Sequence, residues 1–258
     1  MNHIEKQGKR FRMPAVAGSF YPADRETLKG MIKKLFEKAK KITKPEEIHG
    51  IIVPHAGYVY SGYVAAAAYS LIDKKTKKVC VLGPSHREYF NDALSDEADF
   101  WLTPLGEVKI TGTQDFVKNR EAHMAEHSLE VQIPFLQTVL DKFELLPLCC
   151  GHMTNLQCAG VAEKLAKMED ALFVISTDLS HFEDQKTANL LDKKTNEIIE
   201  DLDIDKIDKL NACGQVPVMI AMHLCRIKGW KMHLIDYMTS GDITGDKTSV
   251  VGYSSFWF

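Results

Sequence analysis

Three histidines in this 258-residue chain stand just past short apolar runs. His55 follows Ile51-Ile52-Val53-Pro54. His86 follows Val79-Cys80-Val81-Leu82 through Gly83-Pro84-Ser85, and His181 follows Leu172-Phe173-Val174-Ile175 through Ser176-Thr177-Asp178-Leu179-Ser180. Neutral imidazole ligates iron, zinc, copper and nickel, and it exchanges protons near neutral pH. A single histidine at such a place is ordinarily a hydrogen-bonded or surface residue; three of the ten at equivalent places point to a shared site, with metal ligation as the natural chemistry. Two histidines with one carboxylate and open positions is the set used by non-haem Fe(II) enzymes, so a carboxylate is wanted. The candidates are Asp178, Glu126 and Asp242, the last in the polar turn Ser240-Gly241-Asp242-Ile243-Thr244-Gly245-Asp246. His127, between Glu126 and Ser128, sits where a capped helix start allows it to meet a ligand or shuttle protons. His152, after Leu148-Cys149-Cys150-Gly151, has no other polar group beside it.

Other chemistries find less support. Gly57-Tyr58-Val59-Tyr60-Ser61-Gly62 lacks both the Walker pattern and G-x-G-x-x-G, which argues against nucleotide binding. Ser85 beside His86 does not make a nucleophile and base, because sequence neighbours seldom have that geometry. Lys and Arg total 32 against 35 Asp and Glu, a net charge of -3, so no global field attracts nucleic acid or an acidic membrane. No apolar run has the length of a signal peptide core or a membrane span, and a cytoplasmic protein is expected. The six cysteines show no C-x-x-C and are expected to be reduced core thiols.

These side chains need a frame to bring them together. With 45% hydrophobic and 26% charged residues, no repeat and no linker, one domain spanning 1–258 is expected. The runs ending before the three histidines, together with Leu145-Leu146 and Leu148 and the segment from Val250 to Phe258, predict strands buried on both faces. Helical periodicity covers Glu26 to Lys40, Gly62 to Ile72, Leu129 to Lys142, Ala159 to Lys167, Asp184 to Asp201 and Val216 to Lys228. Ser61 and Ser128 are the expected caps of the second and third of these. Alternation of strand and helix predicts an α/β fold with a largely parallel central sheet flanked by helices. Phe100 to Ile110, with Pro104 and Gly106 between two β-prone runs, predicts a β-hairpin excursion. In an open parallel sheet, ligands bind beyond the carboxyl ends of the strands, where the histidines lie.

Six motifs in order carry a family resemblance: Ala17-Gly18-Ser19-Phe20-Tyr21-Pro22, Val53-Pro54-His55-Ala56-Gly57-Tyr58, Gly83-Pro84-Ser85-His86, Thr103-Pro104-Leu105-Gly106, Glu126-His127-Ser128-Leu129-Glu130 and Ser176-Thr177-Asp178-Leu179-Ser180-His181. Together, over nearly the whole chain, they resemble the Memo family. The resemblance implies a fold similar to class III extradiol ring-cleaving dioxygenases, with His55, His86 and His181 as pocket histidines. It also implies copper or iron redox chemistry, or, as in animal members, binding of phosphotyrosine-containing peptides. Animal members carry a cysteine before the last strand, where this chain reads Ser240 to Asp246, so the resemblance with that departure implies a metal set of His55, His86 and Asp242.

The expectation is therefore a divalent metal, Fe(II) ahead of copper or zinc, in an oxidoreductase acting on a small molecule. His181 and His127 would serve as acid and base, with Asp178 orienting a histidine. The alternatives are a non-catalytic protein that binds a phosphotyrosine peptide or small anion in the same pocket, and a metal-assisted hydrolase. Because ligation needs neutral imidazole, metal affinity is expected to weaken below roughly pH 6.

Overall fold

The structure, a computed structural model, describes residues 3–6 and 8–258. The elements run β1 (His3–Lys6), β2 (Lys9–Arg12), α1 (Arg25–Lys38), β3 (Gly50–Val53), α2 (Tyr58–Tyr69), β4 (Lys78–Pro84), β5 (Ala93–Leu94), β6 (Phe100–Thr103), β7 (Gly106–Ile110), α3 (Glu121–Met124), α4 (Ile133–Val139), β8 (Glu144–Cys150), α5 (Asn155–Leu165), β9 (Ala171–Ser176), β10 (His181–Glu183), α6 (Gln185–Glu200), α7 (Gln215–Lys228), β11 (His233–Thr239), α8 (Ser240–Thr244) and β12 (Val250–Trp257). Short 3-10 turns lie at Glu130–Gln132 and Ile204–Lys209.

The strands join in the order β1-β2-β6-β7-β8-β4-β9-β3-β12-β10, with β11 beside β12 and β5 beside β8. Its centre, β7-β8-β4-β9-β3, is parallel throughout. Successive side chains of a strand point to opposite faces, and the apolar runs divide accordingly. Ile51, Val53, Val79, Val81, Leu145, Leu172 and Val174 pack on one face beneath α1 and α2. Ile52, Cys80, Leu82, Leu146, Leu148, Phe173 and Ile175 pack on the other beneath α5 and α7. The alanines of α2, Ala65 to Ala68, are all buried, which lets the helix lie close to the sheet. The result is a mixed α/β fold with a large central sheet flanked by helices; among the described residues the sheet stays open and forms no closed barrel. Among the described residues, no helix is long and apolar enough to cross a membrane.

Several local expectations need correction. The last strand, β12, runs antiparallel to β3 and to β11, a neighbour that periodicity did not suggest. The β6–β7 hairpin is present, but β6 also pairs with β2 and β7 with β8, so it lies inside the sheet. Ser61 and Ser128 cap nothing: their hydroxyls donate to Ala56 O and Pro84 O. Helix α2 begins before Ser61 with Gly57 as its cap residue, and the segment after Ser128 forms a 3-10 turn before α4, whose first turn holds Pro134. The cap of α6 is Asp184, whose carboxylate accepts from Lys186 N and Thr187 N, and Gly229 ends α7 in the left-handed conformation.

The in-register parallel centre is what assembles a site. Val53 lies opposite Ser176, and Leu82 lies opposite Ile175. The chain therefore leaves β3, β4 and β9 at one edge of the sheet, delivering His55, His86 and Asp178 side by side.

Candidate metal centre

His55, His86 and His127 converge so that one ligand atom from each lies within 4.8 Å of the others, a group that could hold a metal ion. The ring centroids of His55 and His86 are 5.1 Å apart, those of His55 and His127 5.4 Å, and those of His86 and His127 4.6 Å. They line a cavity of about 720 Å³ together with Asp178, His181, Phe20 and Tyr60.

His55 is 2% exposed and fixed from two sides. Its backbone N–H donates to Asp178 Oδ1 at 2.7 Å, and its Nδ1 lies 2.9 Å from Ser176 Oγ. The Ser176 hydroxyl has one hydrogen, and it goes to Ser128 O at 2.7 Å, while Gln132 Nε2 donates to the same oxygen at 2.9 Å. Ser176 Oγ can only accept from His55, so the proton sits on Nδ1 and the lone pair on Nε2. Glu126 does the same for His86, whose Nδ1 donates to Oε1 at 3.0 Å and whose backbone N–H donates to Oε2 at 2.6 Å. Oε1 also accepts from His127 N at 2.9 Å and Ser128 N at 2.8 Å. A carboxylate that turns a histidine and raises its basicity is a recurrent partner of metal-ligating imidazole.

Electrostatics keep His55 and His127 in their ligating forms. Burial drives His55 well below the ordinary histidine value, with His86 and His127 pushing the same way. Burial lowers His127 to about 4 against the opposing pull of Glu126. For Glu126, burial alone would raise the carboxyl, but the His86 hydrogen bond and charge and the Ser128 N–H outweigh it and leave it at about 2. Asp178 is raised by burial. The site's backing is a second buried network. Arg12 bridges to Glu130 Oε2 at 2.7 Å and donates to His123 O and Glu126 O, also at 2.7 Å, with its guanidinium over Trp101. Glu130 takes three further donors, Ala15 N, Val16 N and the Tyr21 hydroxyl. The spacing of Glu126 and Glu130 thus sends one carboxylate to the histidines and the other to the arginine beneath them.

The remaining sequence candidates are distributed as follows. Asp242 is not brought to the cavity: its carboxylate closes the N-terminal turn of α8 by accepting from Thr239 N at 2.8 Å and takes Gln185 Nε2 at 2.7 Å. His127, not Asp242, stands with His55 and His86. His181 lines the cavity as an exposed ring, its Nδ1 donating to Leu179 O at 2.8 Å and not to Asp178. Asp178 instead orients the His55 segment, accepting from His55 N and Ala56 N. His152 lies elsewhere, against Tyr89. Among the described residues all six cysteines are free, and five are buried; the exception is Cys213, whose Sγ lies 3.1 Å from His55 Nε2. Composition gave no sign of this, since Cys213 is far from every motif in sequence and reaches His55 only because α7 starts beneath β9. Burial and the nearby Asp178 hold its thiol protonated, pushed up to about 12, so in this state it donates to the His55 lone pair.

Comparison with known proteins identifies the family of the chain. The chain matches the family model described as Memo-like protein over residues 12–257. A MEMO1 family protein of Archaeoglobus fulgidus is 36% identical over 267 residues, covering 96% of this chain and 99% of that protein. Similar proteins are the MEMO1 family protein of Nitrosopumilus maritimus, 35% identical over 272 residues (96% and 99%), and that of Aquifex aeolicus, 36% identical over 270 residues (96% and 99%).

Proposed function

The chain belongs to the Memo-like family, and from that premise we propose that it is a metal-dependent oxidoreductase acting on a small molecule, with Fe(II) held by His55, His86 and His127. The observation that carries the reading is the convergence of three imidazole donors within 4.8 Å. The donor set fits an ion: two rings are locked with Nε2 lone pairs inward, and burial keeps His55 and His127 neutral. When bound, iron or copper supplies one-electron chemistry and open coordination positions, and zinc supplies Lewis acidity.

The chain's own groups divide the remaining work. Glu126 and Ser176 hold the rings of His86 and His55 in one tautomer. Phe20 and Tyr60 wall the cavity. His181 presents Nε2 with a lone pair, because its Nδ1 proton is given to Leu179 O, so it can take a proton from a bound ligand. Asp178, with burial favouring its protonated form, is a second group able to hold a proton beside His55. The six free thiols support a reducing, cytoplasmic setting, and one continuous sheet supports a single working domain.

A second reading has its own support: three nitrogens without a carboxylate is the ligand set of zinc sites that activate water, which favours metal-assisted hydrolysis over the two-histidine, one-carboxylate class. Anaerobic loading with Fe(II) or Zn(II), followed by metal analysis of the wild type and of His55→Ala, His86→Ala and His127→Ala, tests both. One ion per chain in the wild type and loss in each variant is expected, and equal metal content in all four would overturn the site. Oxygen uptake by the iron form only is the outcome expected of an oxidoreductase; activity with zinc that ignores oxygen would replace it with the hydrolase.

A further inference from the structure

The cavity carries a positive charge that no described carboxylate pairs with. Arg87 follows His86 in the loop after β4 and lines the cavity, and its guanidinium makes no hydrogen bond or ion pair with any described residue. The buried carboxylates nearby are engaged elsewhere: Glu126 by His86 and the His127 and Ser128 N–H groups, and Asp178 by the N–H groups of His55 and Ala56. Around it the walls are mixed, with Phe20, Tyr60, Val251 and Tyr253 giving apolar surface beside Ser240, Thr244 and Ser249. A volume of about 720 Å³ lies within the range of small-molecule sites. A guanidinium offers a planar fork of donors that matches carboxylate and phosphate oxygens.

We propose that Arg87 anchors an oxyanion on the ligand, so that this cavity takes a small organic carboxylate or phosphate with an apolar body, its uncharged end turned toward His55, His86 and His127. Asp246, on a separate loop of the same cavity, disfavours a second negative charge, so the ligand carries one anionic group. This deepens the function proposed above and rests on it for where the reacting end lies, but anion binding itself needs no ion.

The test is calorimetric titration of metal-free protein with benzoate, phenyl phosphate, benzamide and inorganic phosphate, in the wild type, Arg87→Gln and Arg87→Lys. The expected result is binding of benzoate or phenyl phosphate, with whichever binds more tightly identifying the oxyanion. Benzamide should bind about tenfold more weakly or worse, and Arg87→Gln should weaken the anion by about tenfold or more, as for loss of a charge-assisted contact, with Arg87→Lys in between. Four results would overturn the proposal: no binding of either aromatic anion, benzamide binding as tightly as the anions, Arg87→Gln within about twofold of the wild type, or inorganic phosphate binding as tightly as phenyl phosphate. Arg87 is exposed, so unfolding midpoints of the variants should match the wild type. Since no metal is present, failure of Fe(II) loading leaves this result standing, and Arg87-independent anion binding by a protein that loads metal overturns this inference alone.

Discussion

Replacing Glu126 by glutamine keeps the shape of the side chain and removes its charge. Four donors now point at its two oxygens: His86 Nδ1, His127 N and Ser128 N at Oε1, and His86 N at Oε2. If the amide oxygen takes the Oε1 place, the NH₂ group faces the His86 N–H, so one hydrogen bond becomes a donor–donor contact and three lose their charge assistance. Hydrogen bonds to a charged partner contribute roughly 1.5–3 kcal/mol against about 1 kcal/mol for neutral ones, so a loss of about 3 kcal/mol is expected. The carboxyl's displacement to about 2 from its ordinary 4.5 gives an independent figure, since each pKa unit corresponds to about 1.4 kcal/mol; it also comes to about 3 kcal/mol for a group 1% exposed. The native pKa is depressed, so this stabilisation is fully present above 4.5 and is lost as pH falls through 2. Urea unfolding of the wild type and Glu126→Gln should therefore differ by about 3 kcal/mol at pH 7, and by less than about half of that at pH 3. A difference below about 1 kcal/mol at pH 7, or one that does not change with pH, would refute the claim that a charged Glu126 organises the histidines.

Arg12→Met leaves the Glu130 carboxylate buried and without its cation, so urea unfolding should show a loss of about 3–5 kcal/mol, larger than for the exposed pair Lys33–Glu37 broken by Lys33→Met. Because burial holds the native His127 at about 4 and His55 well below 6.5, the unfolded chain takes up these protons first on acidification. Both rings therefore make stability fall as pH drops from 6.5 toward 4, with no effect above that window, and His127→Gln should flatten this part of the pH–stability curve. For the same reason the neutral rings of His55 and His127 should keep binding metal at pH values below the roughly 6 expected of unperturbed histidine, which metal titration at pH 5 would check. Gly151→Ala places a Cβ against the backbone carbonyl of Phe90, which cannot yield as a flexible side-chain end can, and thermal unfolding should report a loss of at least about 2 kcal/mol.

Much of the frame was legible because it obeys one-dimensional rules. The strands before His55, His86 and His181 are unbroken apolar runs, and such runs are what a parallel sheet covered on both faces requires. The helical segments showed their 3.6-residue periodicity, as over Asp184 to Asp201 and Val216 to Lys228. Ser61 and Ser128 misled because a hydroxyl near a helix start looks the same in sequence whether it caps the helix or reaches a distant carbonyl. β11 escaped because its side chains are mostly half-buried, beside β12 on one side only, so it never forms an unbroken apolar run.

The sequence alone determined the residue types and the edge of the sheet where chemistry would collect, since periodicity and strand-end placement depend only on neighbours along the chain. Which of those residues meet was decided by the tertiary structure. His127 joins His55 and His86 because the turn holding Glu126 and Glu130 is tied down over Arg12, 114 and 118 residues away. Asp242 is drawn off to close α8, and Cys213 arrives beside His55 from a segment 158 residues distant. Contacts over such separations depend on the packing of whole layers, and no local pattern encodes them.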